Sequence, residues 1–269
     1  MKKNLLLLLS LVTIIGLSGC GNKSHTGSNH HSMNHEEKEK EIRTQVNFSF
    51  ESSPESGKKQ ELTIQVKNES GKPINQFKLE HEKLMHLIVV SKDLSFFEHL
   101  HPRYKGEGLF TVSTNFPTGG EYKLFADFVP KESSKIVKTK SIEVSGKKAE
   151  PSSLVEDKVL TKIVDGKEVT LTFDQLMMNQ EIKMTFSMKD AKSKEAISDL
   201  QPYLGAIGHV VVISGDTETY LHVHPMNETA SGPDAEFMTS FPKKGTYKIW
   251  GQFKQKGKVF IVPFVVNVP

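Results

Sequence analysis

Two stretches of this 269-residue chain carry one histidine pattern at one spacing. The first runs from His86 through His99 and His101 to Pro102, the second from His209 through His222 and His224 to Pro225. Each histidine of the first stretch has a counterpart 123 residues on, and Ser91, Asp93 and Phe97 are answered in the same way by Ser214, Asp216 and Tyr220. Downstream a second pattern repeats: Phe116-Pro117 leads to Gly120-Glu121-Tyr122, and Phe241-Pro242 leads to Gly245-Thr246-Tyr247. Self-similarity at this period constrains the chain to two copies of one unit of ordinary domain size.

Within each unit the apolar residues alternate with polar ones over short runs, the period of a half-buried strand. This predicts strands at 45–50, 62–66, 86–91, 96–101, 109–115, 121–128 and 136–144 in the first unit. In the second it predicts 168–173, 181–188, 209–214, 219–224, 236–241, 246–253 and 258–267. About seven short strands per roughly 100 residues, with no amphipathic helix, predict an all-β chain of two tandem β-sandwiches, immunoglobulin-like or cupredoxin-like. Gly120-x-Tyr122 and Gly245-x-Tyr247, each entering a late strand, resemble the tyrosine corner of immunoglobulin-like sandwiches, so these four residues read as architecture. Domain 1 is expected over 42–144 and domain 2 over 161–269, joined by a Gly/Ser/Lys/Pro-containing linker at 145–160.

The N-terminus begins Met1-Lys2-Lys3, continues with an apolar run from Leu5 to Leu17 and ends in Ser18-Gly19-Cys20. A basic start, a short apolar stretch and small residues before a boundary describe a secretory signal over 1–19. Leu17-Ser18-Gly19-Cys20 resembles the lipobox of bacterial lipoproteins, which implies that Cys20 is lipidated and that the mature chain is anchored on the extracytoplasmic face of the cell membrane. Cys20 is the sole cysteine, so disulfides, thiolate ligands and a thiol nucleophile are excluded. Residues 20–41 are nearly devoid of apolar side chains and read as a disordered tether. That tether holds His25, His30, His31 and His35, a density suited to loose metal capture. With 35 basic against 32 acidic residues and a net charge of +3, nothing suggests nucleic acid as a partner.

The histidines carry the chemistry. A tight hairpin centred between Asp93 and Leu94 sets His86 opposite His101, with His99 on the same face two residues away. Same-face neighbours of this kind bring imidazoles close enough to share an ion. The second copy sets His209 opposite His224 beside His222, so a three-histidine metal site is expected in each domain. Met85, His81 and Met226 are candidate auxiliary ligands, together with the tether histidines. Imidazole suits copper, zinc or nickel, and the general affinity order favours copper. Asp93 and Asp216 read as turn residues. The chain has no phosphate loop or nucleophile elbow and shows no paired general acid, so an enzyme is not expected.

The run from His86 to Pro102, with Phe-Pro-x-Gly-Gly-x-Tyr downstream, looks like that of a group of bacterial envelope proteins bearing this domain singly or in tandem. The small sandwich also resembles the YtkA-like and CopC-like domains. That resemblance implies copper handling outside the cytoplasm, as chaperone, store or buffer, with an envelope metal transporter or metalloenzyme receiving the ion. The alternative is a non-catalytic cell-surface interaction module whose histidines are structural. A zinc hydrolase is the third reading.

Overall fold

A computed structural model describes residues 43–150 and 152–269. Among them there is no helix, and hence none long and apolar enough to cross a membrane. The tether histidines, the signal and Cys20 lie outside the described residues.

The first sandwich is built from nine strands: β1 (Thr44–Phe50), β2 (Lys59–Asn68), β3 (Phe77–Lys78), β4 (Met85–Ser91), β5 (Phe97–Leu100), β6 (Arg103–Gly106), β7 (Leu109–Asn115), β8 (Gly120–Pro130) and β9 (Ile136–Val144). One sheet has the order β1-β2-β7-β6; the other has β3-β8-β4-β5, with β9 on the free side of β8. This is the immunoglobulin arrangement, in which two antiparallel sheets exchange strands by Greek-key connections. Alternation along β2 sends Leu62, Ile64 and Val66 inward, where with Phe110 of the adjacent β7 they meet Leu87, Val89, Leu124 and Phe128 from the facing sheet.

The second sandwich repeats the plan. Its strands are β10 (Thr161–Val164), β11 (Lys167–Phe173), β12 (Ile182–Asp190), β13 (Leu200–Gln201), β14 (Gly208–Ser214), β15 (Tyr220–His222), β16 (His224–Pro225), β17 (Asp234–Thr239), β18 (Gly245–Gln255) and β19 (Lys258–Val268). The sheets run β10-β11-β12-β17-β16 and β13-β18-β14-β15, with β19 on β18. The two tyrosines behave as expected: Tyr122 donates to the Thr118 carbonyl and Tyr247 to the Lys243 carbonyl, each at 2.9 Å. The linker is not a free leash. Asp157 exchanges main-chain and side-chain bonds with Val265, and Leu154 packs against the apolar cluster between the sandwiches.

The expected hairpin register holds as far as Ile88 opposite His99 and Val211 opposite His222, but in the second copy His224 pairs with Met238 of the other sheet and does not stand opposite His209. The turns match as well. Asp93 accepts from Ser91 Oγ at 2.6 Å and from the Ser95 amide at 3.0 Å, while Asp216 accepts from Ser214 Oγ and the Glu218 amide. Leu94 and Thr217 occupy the same left-handed position, φ +58° and +65°.

What alternation did not reveal is that β4 and β14 are buried along their whole length. One face of each strand lines its own core and the other meets the opposite sandwich. Ile88, Val90, Leu94 and Phe125 of the first sandwich form a single apolar cluster with Val211, Ile213 and Trp250 of the second. The seam is reciprocal. Phe97 stacks on Trp250 (4.6 Å, 15°), and its counterpart Tyr220 stacks on Phe125 (5.6 Å, 28°). Polar arms cross at the rim, with Lys248 reaching the Leu94 carbonyl at 2.8 Å and Lys92 reaching the Asp216 carbonyl at 3.2 Å.

Candidate metal centre

The histidines sit at one end of this seam. Strand β4 carries His86 on its seam face, between apolar residues that hold the strand in place, and the hairpin returns His99 on the same face of β5. His101 follows where the chain leaves β5, with buried Pro102 fixing the exit toward β6 in the other sheet. One ring nitrogen from each of His86, His99 and His101 lies within 4.8 Å of the other two. Their ring centroids are 5.1, 5.1 and 4.7 Å apart. Imidazoles sharing one tetrahedral ion, at nitrogen–metal distances near 2 Å, place their centroids roughly 5 Å apart.

The outer bonds of these rings set their tautomers. His86 Nε2 lies 2.9 Å from the Glu80 carbonyl, which can only accept, so that nitrogen carries the proton. His99 Nδ1 lies 3.1 Å from Gln252 Oε1, an acceptor from the second sandwich. With both rings neutral, His86 Nδ1 and His99 Nε2 each present a lone pair, and these two atoms are 2.9 Å apart. Facing lone pairs repel unless a cation or a proton lies between them. His101 Nε2 is buried without a hydrogen-bond partner, and so is Gln252 Nε2. A second arrangement satisfies more of the chain without an ion. Rotating the Gln252 amide lets its nitrogen donate to His99 Nδ1, His99 Nε2 donate to His86, and His86 donate to Glu80. Within the Gln252 amide the unpartnered atom then becomes the oxygen, and His101 Nε2 stays without a partner.

Electrostatics keep His99, His101 and His209 neutral. Burial, then the neighbouring His86, His101 and His209, hold His99 well below the ordinary imidazole range. Burial, His86 and Lys83 lower His101 to about 4. Burial, His81 and His86 lower His209 to about 3. A neutral imidazole is the form that binds a metal, so no proton has to be displaced near neutral pH.

The second copy does not mirror the first. His209 is buried and points across the seam, with its ring 6.1 Å from His86, 6.0 Å from His99 and 4.7 Å from His81. Tyr203 flanks it edge-on at 5.6 Å. The side chains of His222 and His224 lie outside the described ones. Their backbones pair into different sheets, His222 with Val211 and His224 with Met238. The expected picture of one self-contained site per domain is therefore corrected for His209, which adjoins the first domain's cluster.

The auxiliary candidates divide. His81 belongs to the cluster, its backbone in the left-handed region (φ +47°). Met85 does not. It is fully buried in the core of the first sandwich, because alternation along β4 sends it to the face opposite His86. Its counterpart is Gly208, where a Cβ would stand 2.4 Å from the Phe253 ring. Met226 is half exposed, just beyond β16. The residue that sequence reasoning missed is Gln252, which lies far from the motif in sequence and belongs to a residue type that ligates transition metals far less often than histidine does. The missed signal for the seam was the uninterrupted apolar run Leu87-Ile88-Val89-Val90, which a strand with one solvent face does not need.

No curated protein matches the chain by sequence. Among solved structures it aligns with a marsupial T cell receptor (8% identity, 83% of this chain and 96% of that one, TM-score 0.25). It also aligns with invasin, a bacterial integrin-binding protein (12%, 84% and 39%, TM-score 0.26), and with the D00-D0 domain of intimin (11%, 82% and 99%, TM-score 0.24). The chain thus spans well under half of the invasin chain, and superpositions this loose carry no argument about function. The family model described as a domain of unknown function (DUF8832) matches twice, over residues 40–146 and 162–269. With both sandwiches covered end to end, this chain belongs to that family and carries two copies of its domain.

Proposed function

We propose that this chain binds a transition metal, copper by preference, through His86, His99 and His101, and that it acts as an extracytoplasmic metal chaperone, store or buffer. The observation that carries this reading is the convergence of His86, His99 and His101, one ring nitrogen from each within 4.8 Å of the others, with His86 Nδ1 2.9 Å from His99 Nε2 and His101 Nε2 buried and unpartnered. An all-nitrogen set suits Cu(II), Zn(II) or Ni(II), and Cu(II) heads the affinity order. A groove lined by Glu61, His101, Arg103 and Thr111 leads to His101 and would give ligand exchange an open side. The function is binding and release, not turnover. The lipobox-like Leu17–Cys20 supports a position on the outer face of the membrane, and the resemblance of the sandwich to copper-handling domains supports the same role.

Titration of Cu(II), and separately Zn(II), into the chain tests this reading. It predicts tight binding that is lost when His99 and His101 are changed to Ala, and a metal-dependent rise in melting temperature, since a ligand that binds only the native state stabilises it. Absence of binding to both ions would overturn it. A second reading has its own support. With the Gln252 amide rotated, a donor chain from its nitrogen through His99 and His86 to the Glu80 carbonyl would use the histidines as seam architecture, as expected of a surface interaction module. It predicts no shift in melting temperature with either metal.

A further inference from the structure

Among the described side chains, five histidines meet at the seam, and they come from both sandwiches. His86, His99, His101 and His81 belong to the first and His209 to the second. His209 Nε2 faces the Leu204 carbonyl at 3.4 Å, which leaves Nδ1 as the nitrogen with a free lone pair in the neutral ring. His209 and Gln252 are cross-strand partners on β14 and β18, so one short piece of the second sandwich holds both an imidazole beside the cluster and the group that orients His99.

We infer that the metal centre is shared between the two sandwiches: His209 supplies a fourth imidazole to the ion held by His86, His99 and His101, and Gln252 positions His99 from the same side of the seam. The inference rests on the metal-binding reading above and adds its ligand set and stoichiometry. The His209 ring stands at 6.0–6.1 Å from His86 and His99, whereas rings on one tetrahedral ion sit roughly 5 Å apart. Closing about 1 Å of that gap draws β14 toward β4, so the ion acts as a clamp across the seam. A carbonyl-type acceptor on the non-ligating nitrogen of a metal-bound histidine fixes its tautomer, the role Gln252 Oε1 is placed to fill at His99 Nδ1. A ring that serves this shared ion cannot also complete a separate site with His222 and His224. The expected count is therefore one tight ion per chain, not two.

The test uses the full chain with His25, His30, His31 and His35 changed to Ala, so that the tether adds no imidazole. Cu(II) is the probe, read by competitive titration and by the number of nitrogen couplings in the electron paramagnetic resonance spectrum. The inference expects one tight equivalent. His209→Ala should weaken it at least about tenfold and remove one nitrogen coupling. Gln252→Leu should weaken it about 10- to 100-fold with the nitrogen count unchanged, and Gln252→Glu, which keeps the acceptor, should restore the affinity. Circular dichroism of each variant separates lost folding from lost ligation. If the parent binds tightly and His209→Ala leaves affinity and nitrogen count unchanged, the shared centre fails while the three-histidine site stands. Two tight, independent equivalents would also overturn it. No binding by the parent would sink the underlying metal reading instead.

Discussion

The Tyr220 hydroxyl of the second sandwich donates a 3.0 Å hydrogen bond to Asp127 Oδ2, a carboxylate buried in the first. The Lys135 ammonium stands 3.7 Å from the same oxygen, so the phenol and this ammonium both help to make a buried charge tolerable at the seam. Burial, then the Asp127 charge and this bond, push the Tyr220 phenol well above its ordinary range, so it remains a donor at any physiological pH.

Tyr220→Phe is expected to keep the stacking on Phe125, since Phe97 fills the equivalent place in the first copy. It loses the bond to Asp127, at a cost of about 1–3 kcal/mol because the acceptor is charged and buried. Urea denaturation of the variant against the parent measures this, and an unchanged midpoint would mean that Asp127 draws its support elsewhere.

Trp250→Ala removes the largest side chain in the seam, 4% exposed and stacked on Phe97. A loss of about 3–5 kcal/mol is expected from the lost apolar burial together with the cavity left behind. Because the site sits at the end of the same seam, the variant should also bind metal more weakly. Calorimetric unfolding and metal titration of one sample check both effects. Strong destabilisation with intact affinity would show that the centre does not depend on the seam.

Tyr122→Phe and Tyr247→Phe each delete one tyrosine-corner bond to a carbonyl. Each should cost about 1 kcal/mol and leave metal affinity at the parental value, since neither tyrosine belongs to the seam. The paired measurement separates architecture from site chemistry.

Acid should loosen the seam. His99, His101 and His209 have folded-state values below the ordinary 6.5, the latter two about 4 and about 3. Above pH 6.5 these rings are neutral in both states and their titration changes nothing. Below it the unfolded chain takes up protons that the folded chain resists, so stability falls from about pH 6.5 down through the folded values. The denaturant midpoint should decline between pH 6.5 and 5, above most carboxylate titrations, and a His101→Ala/His209→Ala variant should show a shallower slope. Equal slopes would remove these histidines as the cause.

Much of the fold was legible in the chain itself. Strand periodicity placed 109–115 and 136–144 at the bounds they adopt, and the hairpin symmetry that sets Ile88 against His99 could be counted from the turn residues alone. The strands that escaped, β3, β6, β10 and β13, are two to four residues long, too short for a period-two pattern to stand out. The convergence of His86, His99 and His101 followed from register and alternation, because both are local rules. The partnership of His99 with Gln252 and the turning of His209 toward the first sandwich were decided by tertiary structure. A repeat announces two equal units but carries no term for how they face each other. That orientation is set by the fit of Ile88, Val90, Phe125, Val211, Ile213 and Trp250, residues far apart in sequence whose contacts no local period encodes.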